Sequence, residues 1–215
     1  MLTIYGRATS SNVQLVMWAV GELGLEHSRL DYGHVHGGTD TPEYRAMNPR
    51  GRVPVLKDGD LIVWESCAIL RYLAAQYGGG GAFWPADPAK RAGVDMWAEF
   101  GKNEMAQGFT GPIFWPRVRT AAKDRNEGAL RDAIARFEAL LDVIEAQLNG
   151  KEYICGVDFT VADITVGHLL YRWFGIDVPR KPRAAVEAYY DRLKARPAYR
   201  HHVMVDYSPL RVPGA

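Results

Sequence analysis

Residues 52–70, RVPVLKDGDLIVWESCAIL, join two short apolar runs through Asp58-Gly59-Asp60 and then open a helix at Glu65-Ser66. The runs PVLK and LIVW about that turn predict a β-hairpin. Pro54 has no N–H to give a ladder, so it belongs at a strand start or a sheet edge. With a cis Val53-Pro54 bond, the N–H and C=O of Val53 would face an extended, peptide-like ligand as an added strand is faced. X-Pro bonds are trans about 95% of the time, and an edge proline that merely starts a strand is the plainer reading. Glu65-Ser66 offers a helix N-terminus whose unpaired N–H groups suit a carboxylate. Ser66 adds a hydroxyl and Glu65 a charge for an ammonium. The pair is equipped to hold both ends of one amino acid, although an acidic helix start alone is commonplace.

Upstream, LTIY reads as a strand, and the helix after it carries Val13, Val16, Met17, Val20 and Leu23 at spacings of three and four. HSRLDY is a second strand, and TPEYRAM a short helix started by Thr41 with Pro42 in its first turn. With the hairpin and a helix from Glu65 to Tyr77, the order is βαβαββα, a small α/β layer unit. Downstream, YGGGGAFWPADP breaks the pattern with glycines and prolines. The expected division is residues 1–78, a linker 79–87 and an all-α helical bundle over 88–215. In the bundle, Leu130, Ile134, Phe137, Leu141, Ile144 and Leu148 mark a long amphipathic helix ended by Asn149-Gly150. FTVADITVGHLLYRWF is apolar almost all round, which predicts one buried helix, with Thr160 and Asp163 at capping-box spacing. A last helix over Arg183 to Ala195 stops before Pro197.

Lys and Arg number 26 against 25 Asp and Glu, so nothing marks a nucleic-acid or anionic-membrane partner. Cys67 and Cys155 form no CxxC pair, which argues against a disulfide framework or zinc site and for a reducing compartment. Cys67 reads as a small core residue. The histidines at 34, 36, 201 and 202 have weak metal spacing and read as surface, so no metal is expected. The N-terminus lacks a signal-peptide pattern, and no run approaches the roughly 18 apolar residues of a membrane span. A cytoplasmic protein is the expectation.

GRATSSNVQ, residues 6–14, sets three hydroxyls and an amide where the first strand becomes a helix. A thiol bound there would feel the helix dipole and accept a hydrogen bond as thiolate, and both effects lower its pKa. One unit is worth about 1.4 kcal/mol, so the two together suffice to make thiolate abundant at neutral pH. Plain N-capping by Ser10 or Ser11 accounts for the same residues.

Taken in order, SSNVQLV, NPRGRVPVL, WESCAILRYLAAQYG and FTVAD resemble the cytosolic glutathione transferases of the bacterial serine/threonine type. The resemblance extends over essentially the whole chain, with the glycine-proline linker and RPAYR included. It implies a thioredoxin-like first domain with Pro54 as its cis-proline, an all-helical second domain, and glutathione as co-substrate. Val53 would pair its backbone with the cysteinyl part, and Glu65 with Ser66 would hold the γ-glutamyl end. Arg52 would bind the glycine carboxylate, with a solvated surface charge as the even alternative. Ser10 would donate its hydroxyl hydrogen to the thiolate, assisted by Asn12 or a backbone N–H, while Thr9 and Ser11 remain alternatives. Tyr5 lies within a strand and is expected to point into packing.

An apolar electrophile would enter between the domains against Phe109 and Trp115, near Phe114, Trp173 and Phe174. A bundle core is the more ordinary home for these aromatics. Arg117 and Arg119 read as a solvated helix face, an acidic substrate being the lesser reading. The implied activity is conjugation of glutathione to small hydrophobic electrophiles by a homodimer, with peroxide or disulfide reduction as related activities. The alternative is a non-catalytic binder of glutathione or apolar ligands.

Overall fold

Four short strands and three helices build the first half of the computed structural model, which describes residues 1–215. The strands are β1 (Leu2–Tyr5), β2 (His27–Leu30), β3 (Val55–Asp58) and β4 (Leu61–Trp64). The helices are α1 (Ser11–Glu22), α2 (Pro42–Met47) and α3 (Ser66–Tyr77). The sheet order is β2-β1-β3-β4, with β1 parallel to β2 and the β3–β4 hairpin antiparallel. Ile4 and Leu56 face each other across β1 and β3, both wholly buried. Thr41 Oγ1 accepts the Tyr44 N–H and starts α2, with Pro42 in its first turn. This is the βαβαββα layer that the residue pattern predicts, and the thioredoxin-like domain that the resemblance implies.

The spacing in α1 marks one buried stripe, but the helix is buried from Val13 through Val20. Its other faces meet α8 (Val161–Gly167) and α11 (Pro197–His202) of the second half, contacts that no local pattern encodes. Gln14 is buried with the apolar residues for that reason.

The second half is all-helical. Its first rod runs over 88–119, from α4 (Pro88–Glu99) through α5 (Ala106–Phe109) to α6 (Trp115–Arg119). Two wider, π-helical segments, Phe100–Met105 and Thr110–Phe114, join the three. Pro112 sits in the second, where it withholds one ladder N–H. Then come α7 (Glu127–Leu148), capped by Asn126, α8, α9 (Leu170–Gly175), α10 (Ala184–Ala195) and α11.

The single helix expected from FTVADITVGHLLYRWF is in fact α8 and α9. The Nδ1 of His168 lies 2.9 Å from the Thr165 carbonyl and occupies the acceptor that the backbone would need. Pro197 does not merely end α10; it begins the additional helix α11. Thr160 and Asp163 form a buried capping box, and Asp163 also accepts from the Ile154 N–H and the Tyr189 hydroxyl.

Candidate functional site

A cleft of about 420 Å³ opens between the turn after β1, the loop before β3, and the 88–119 rod. Arg7, Ser10, Ser11, Asn12, His34, Arg52, Val53, Thr110 and Trp115 line it. Ser10 is the N-cap residue of α1, with extended backbone, yet its side chain takes no part in capping. Capping therefore does not account for this serine. Its hydroxyl, nearly buried, makes no hydrogen bond within the chain and stands at the positive end of a twelve-residue helix. Ser11 also lines the cleft, whereas Thr9 does not; the Thr9 carbonyl instead accepts from Arg172 at 2.8 Å.

Asn12 is held from an unexpected side. Lys102, in the first π-helical segment of the rod, donates to Asn12 Oδ1 at 2.8 Å and to Ser66 Oγ at 3.1 Å. An ammonium is donor-only, so the Asn12 oxygen must face it and the amide hydrogens are left for another acceptor. Ser66 is buried at the first position of α3, and its hydroxyl makes a long donation, 3.5 Å, to Asn12 Oδ1. Glu65 precedes it as an exposed N-cap residue with φ of 70°, and its carboxylate bonds to nothing in the chain. The start of α3, whose first N–H groups have no intrahelical partner, thus stands beside a free carboxylate.

The Val53-Pro54 peptide is cis, as the resemblance implies and as X-Pro statistics alone do not. Neither the N–H nor the carbonyl of Val53 bonds within the chain. The neighbouring Arg52 carbonyl is fixed instead, by the Tyr44 hydroxyl at 2.9 Å and the Asn48 amide at 2.7 Å. The Arg52 side chain is exposed at the cleft's rim. Tyr5 packs edge-on against Tyr32 and lies outside the cleft.

The aromatic residues divide. Trp115 is half-buried and lines the cleft. Phe109 does not: it is wholly buried against Phe114, Phe137 and Trp173, so its expected part in an electrophile site is corrected to a core role. Phe114 and Trp173 share that core, and Phe174 stacks on Tyr190. The π-helical turn over Thr110–Phe114, with its i, i+5 spacing, sets Thr110 and Trp115 on one face toward the cleft and turns Phe109 and Phe114 elsewhere. His202, read as surface, is half-buried against His27, and burial pushes its pKa down to about 4. Lys102, Tyr44, Asn48 and Arg7 escaped the sequence reading, since each works through partners distant in the chain or through the cleft's shape.

Two other features bear on the site's identity. A larger concavity, about 860 Å³, lies between the linker, α4 and residues 155–158, away from the uncapped serine and the free Val53 backbone. No group of three or more His, Cys, Asp or Glu side chains converges as a metal centre would require.

Residues 4–81 match the family model for the glutathione S-transferase N-terminal domain, and residues 121–192 that for the C-terminal domain. Glutathione S-transferase GstB of Escherichia coli is 35% identical over 210 residues, spanning 97% of this chain and all of that protein. Glutathione S-transferase 3 of Zea mays is 30% identical, spanning 94% of this chain and 93% of that protein. A theta class glutathione S-transferase of Xanthomonas axonopodis pv. citri, solved with glutathione bound, superposes with a TM-score of 0.90 at 40% identity. That match covers 95% of this chain and 98% of the other. Uncapped serine, free Val53 backbone, and both domain matches agree: the chain belongs to the glutathione S-transferase family.

Proposed function

We infer that this chain is a glutathione transferase of the serine type, with Ser10 stabilising the thiolate of bound glutathione for attack on an electrophile. The observation that carries the reading is the Ser10 hydroxyl, placed at the N-terminus of α1 but bonded to nothing in the chain. A thiolate beside it gains one O–H donor and the helix-end field, and the Asn12 amide hydrogens are free to add a second donor. Ser10 does not attack; the sulfur is the nucleophile, and the serine lowers the cost of its negative charge. Val53 pairs its unused N–H and C=O with the cysteinyl part. Glu65 takes the γ-glutamyl ammonium and the start of α3 its carboxylate, while Arg52 meets the glycine carboxylate at the rim.

Within the same reading, residues 1–78 are the glutathione-binding unit, 79–87 the linker and 88–215 the helical unit. Ile62 and Trp64, exposed two residues apart on β4, support a homodimer. A cytoplasmic location belongs to the same reading; no helix is long and apolar enough to cross a membrane.

The test is Ser10→Ala. We expect kcat/KM for an aryl halide to fall by roughly 10- to 100-fold, equivalent to about 1.4–2.7 kcal/mol, while retention on immobilised glutathione persists. Unaltered turnover would move the role to Ser11 or to backbone donors. Binding without turnover in the native protein would favour a carrier.

A further inference from the structure

Arg7 and Arg119 are out of keeping with the other arginines of the chain. Every other buried or half-buried arginine, Arg117 excepted, donates to a carboxylate or carbonyl, as Arg71 does to Asp95 and Arg183 to Glu138. The side chains of Arg7 and Arg119 donate to nothing, and Nε of Arg7 and Nη2 of Arg119 are buried and unpaired. No salt bridge reaches either. Arg7 lines the cleft together with Ser10; Arg119 does not line it, but its guanidinium lies 3.9 Å from the centre of the ring of Trp115, which does.

The two also repel. Burial, and then Arg119, lower the pKa of Arg7, and His34 on the cleft wall is depressed by burial and then by the same two arginines. Arg172 behind them is pushed down to about 10, by burial first and Arg7 next. No carboxylate of this chain offsets the charge on Arg7 or Arg119. Half-buried like charges with orphaned donors are costly unless an anion joins them. Two guanidinium forks suit the two oxygens of a carboxylate.

We propose that the electrophile of this enzyme carries a carboxylate, gripped by Arg7 and Arg119, with its apolar body on Trp115 and its reacting carbon over the glutathione sulfur. This rests on the transferase reading above. It makes the pocket selective for acidic electrophiles over neutral ones of the same shape. The reading above assigns the glutathione carboxylates to the start of α3, which does not line this cleft, and to Arg52, which lines it with Arg7.

The probes are 4-chloro-3,5-dinitrobenzoate and its methyl ester. In both, the glutathione sulfur bonds to the carbon bearing chlorine, the C–Cl bond breaks, chloride leaves with the bonding pair, and the thiol proton passes to solvent. Each kcat/KM is divided by the uncatalysed rate, and the readout is the benzoate-to-ester ratio within one preparation. We expect the native ratio to exceed tenfold, to fall at least tenfold in Arg7→Met and in Arg119→Met, and to recover in part in Arg119→Lys. A native ratio near one, or one kept in the double variant, overturns the proposal and leaves the transferase reading intact. So does an Arg7→Met protein whose KM rises for glutathione and not for the benzoate. Turnover of neither probe overturns the transferase reading together with this one.

Discussion

Lys102 shows how one side chain from the second half completes a site made by the first. Its ammonium fixes the Asn12 oxygen and reaches Ser66. It thereby sets the direction of the Asn12 amide hydrogens and adds positive charge beside the place that the proposed function gives to the glutathione sulfur. Lys102→Met is expected to raise the pKa of bound glutathione by about half to one unit, or roughly 0.7–1.4 kcal/mol. The thiolate's ultraviolet absorbance across a pH titration measures this. Ser10→Ala should shift the same titration by at least as much. A Lys102→Met titration that overlays the native one would leave Lys102 a purely structural tie.

At the level of elements, the first π-helical segment of the rod decides where Lys102 stands. Gly101, one residue before it, runs against the backbone of α8: a Cβ there would meet the Thr165 carbonyl carbon at 2.8 Å and its oxygen at 2.9 Å. Backbone atoms cannot rotate aside, so either the rod or α8 must move. Gly101→Ala should cost about 1–3 kcal/mol, read as a lower urea midpoint at unchanged m-value. It should also lower turnover, because any shift of the rod carries Lys102 away from Asn12. Full stability in this variant would show the contact to be looser than drawn. The capping of α10 is likewise shared between elements, since Glu145 of α7 accepts the N–H groups of Ala185 and Val186.

For the molecule as a whole, the interface between the halves sets how stability responds to acid. His168 is wholly buried, and desolvation first, then Lys102, push its pKa down to about 3. His202 is pushed to about 4 by burial, then by His201 and His27. Both stay neutral when folded and return to ordinary values when unfolded. Their stabilisation is therefore complete above about pH 6.5 and is lost as pH falls toward 3 to 4. Asp163 opposes them: burial lifts its carboxyl to about 6, so the folded chain takes up a proton between about pH 6 and 4 that the unfolded chain releases. Two losses against one gain give a slope of up to about 1.4 kcal/mol per pH unit in that window, less as solvent screens His202. Urea melts at pH 6.5 and 4.5 should show the fall, and His202→Asn should flatten it. A rise in stability on acidification would mean that Asp163 dominates.

The βαβαββα order, the hairpin about Asp58-Gly59-Asp60, the α2 cap and the capping box of α8 were all legible along the chain. Each rests on residues within a few positions of one another, where propensity and turn chemistry act directly. The Ser10 and Glu65-Ser66 positions were legible too, because helix starts are local events. The partition of Phe109 from Trp115, the burial of α1 on every side, and the meeting of Lys102 with Asn12 were not. Nor was the pairing-off of every half-buried arginine but Arg7, Arg117 and Arg119. These follow from which helix lies against which, and contacts between residues ninety positions apart leave no trace in a local pattern.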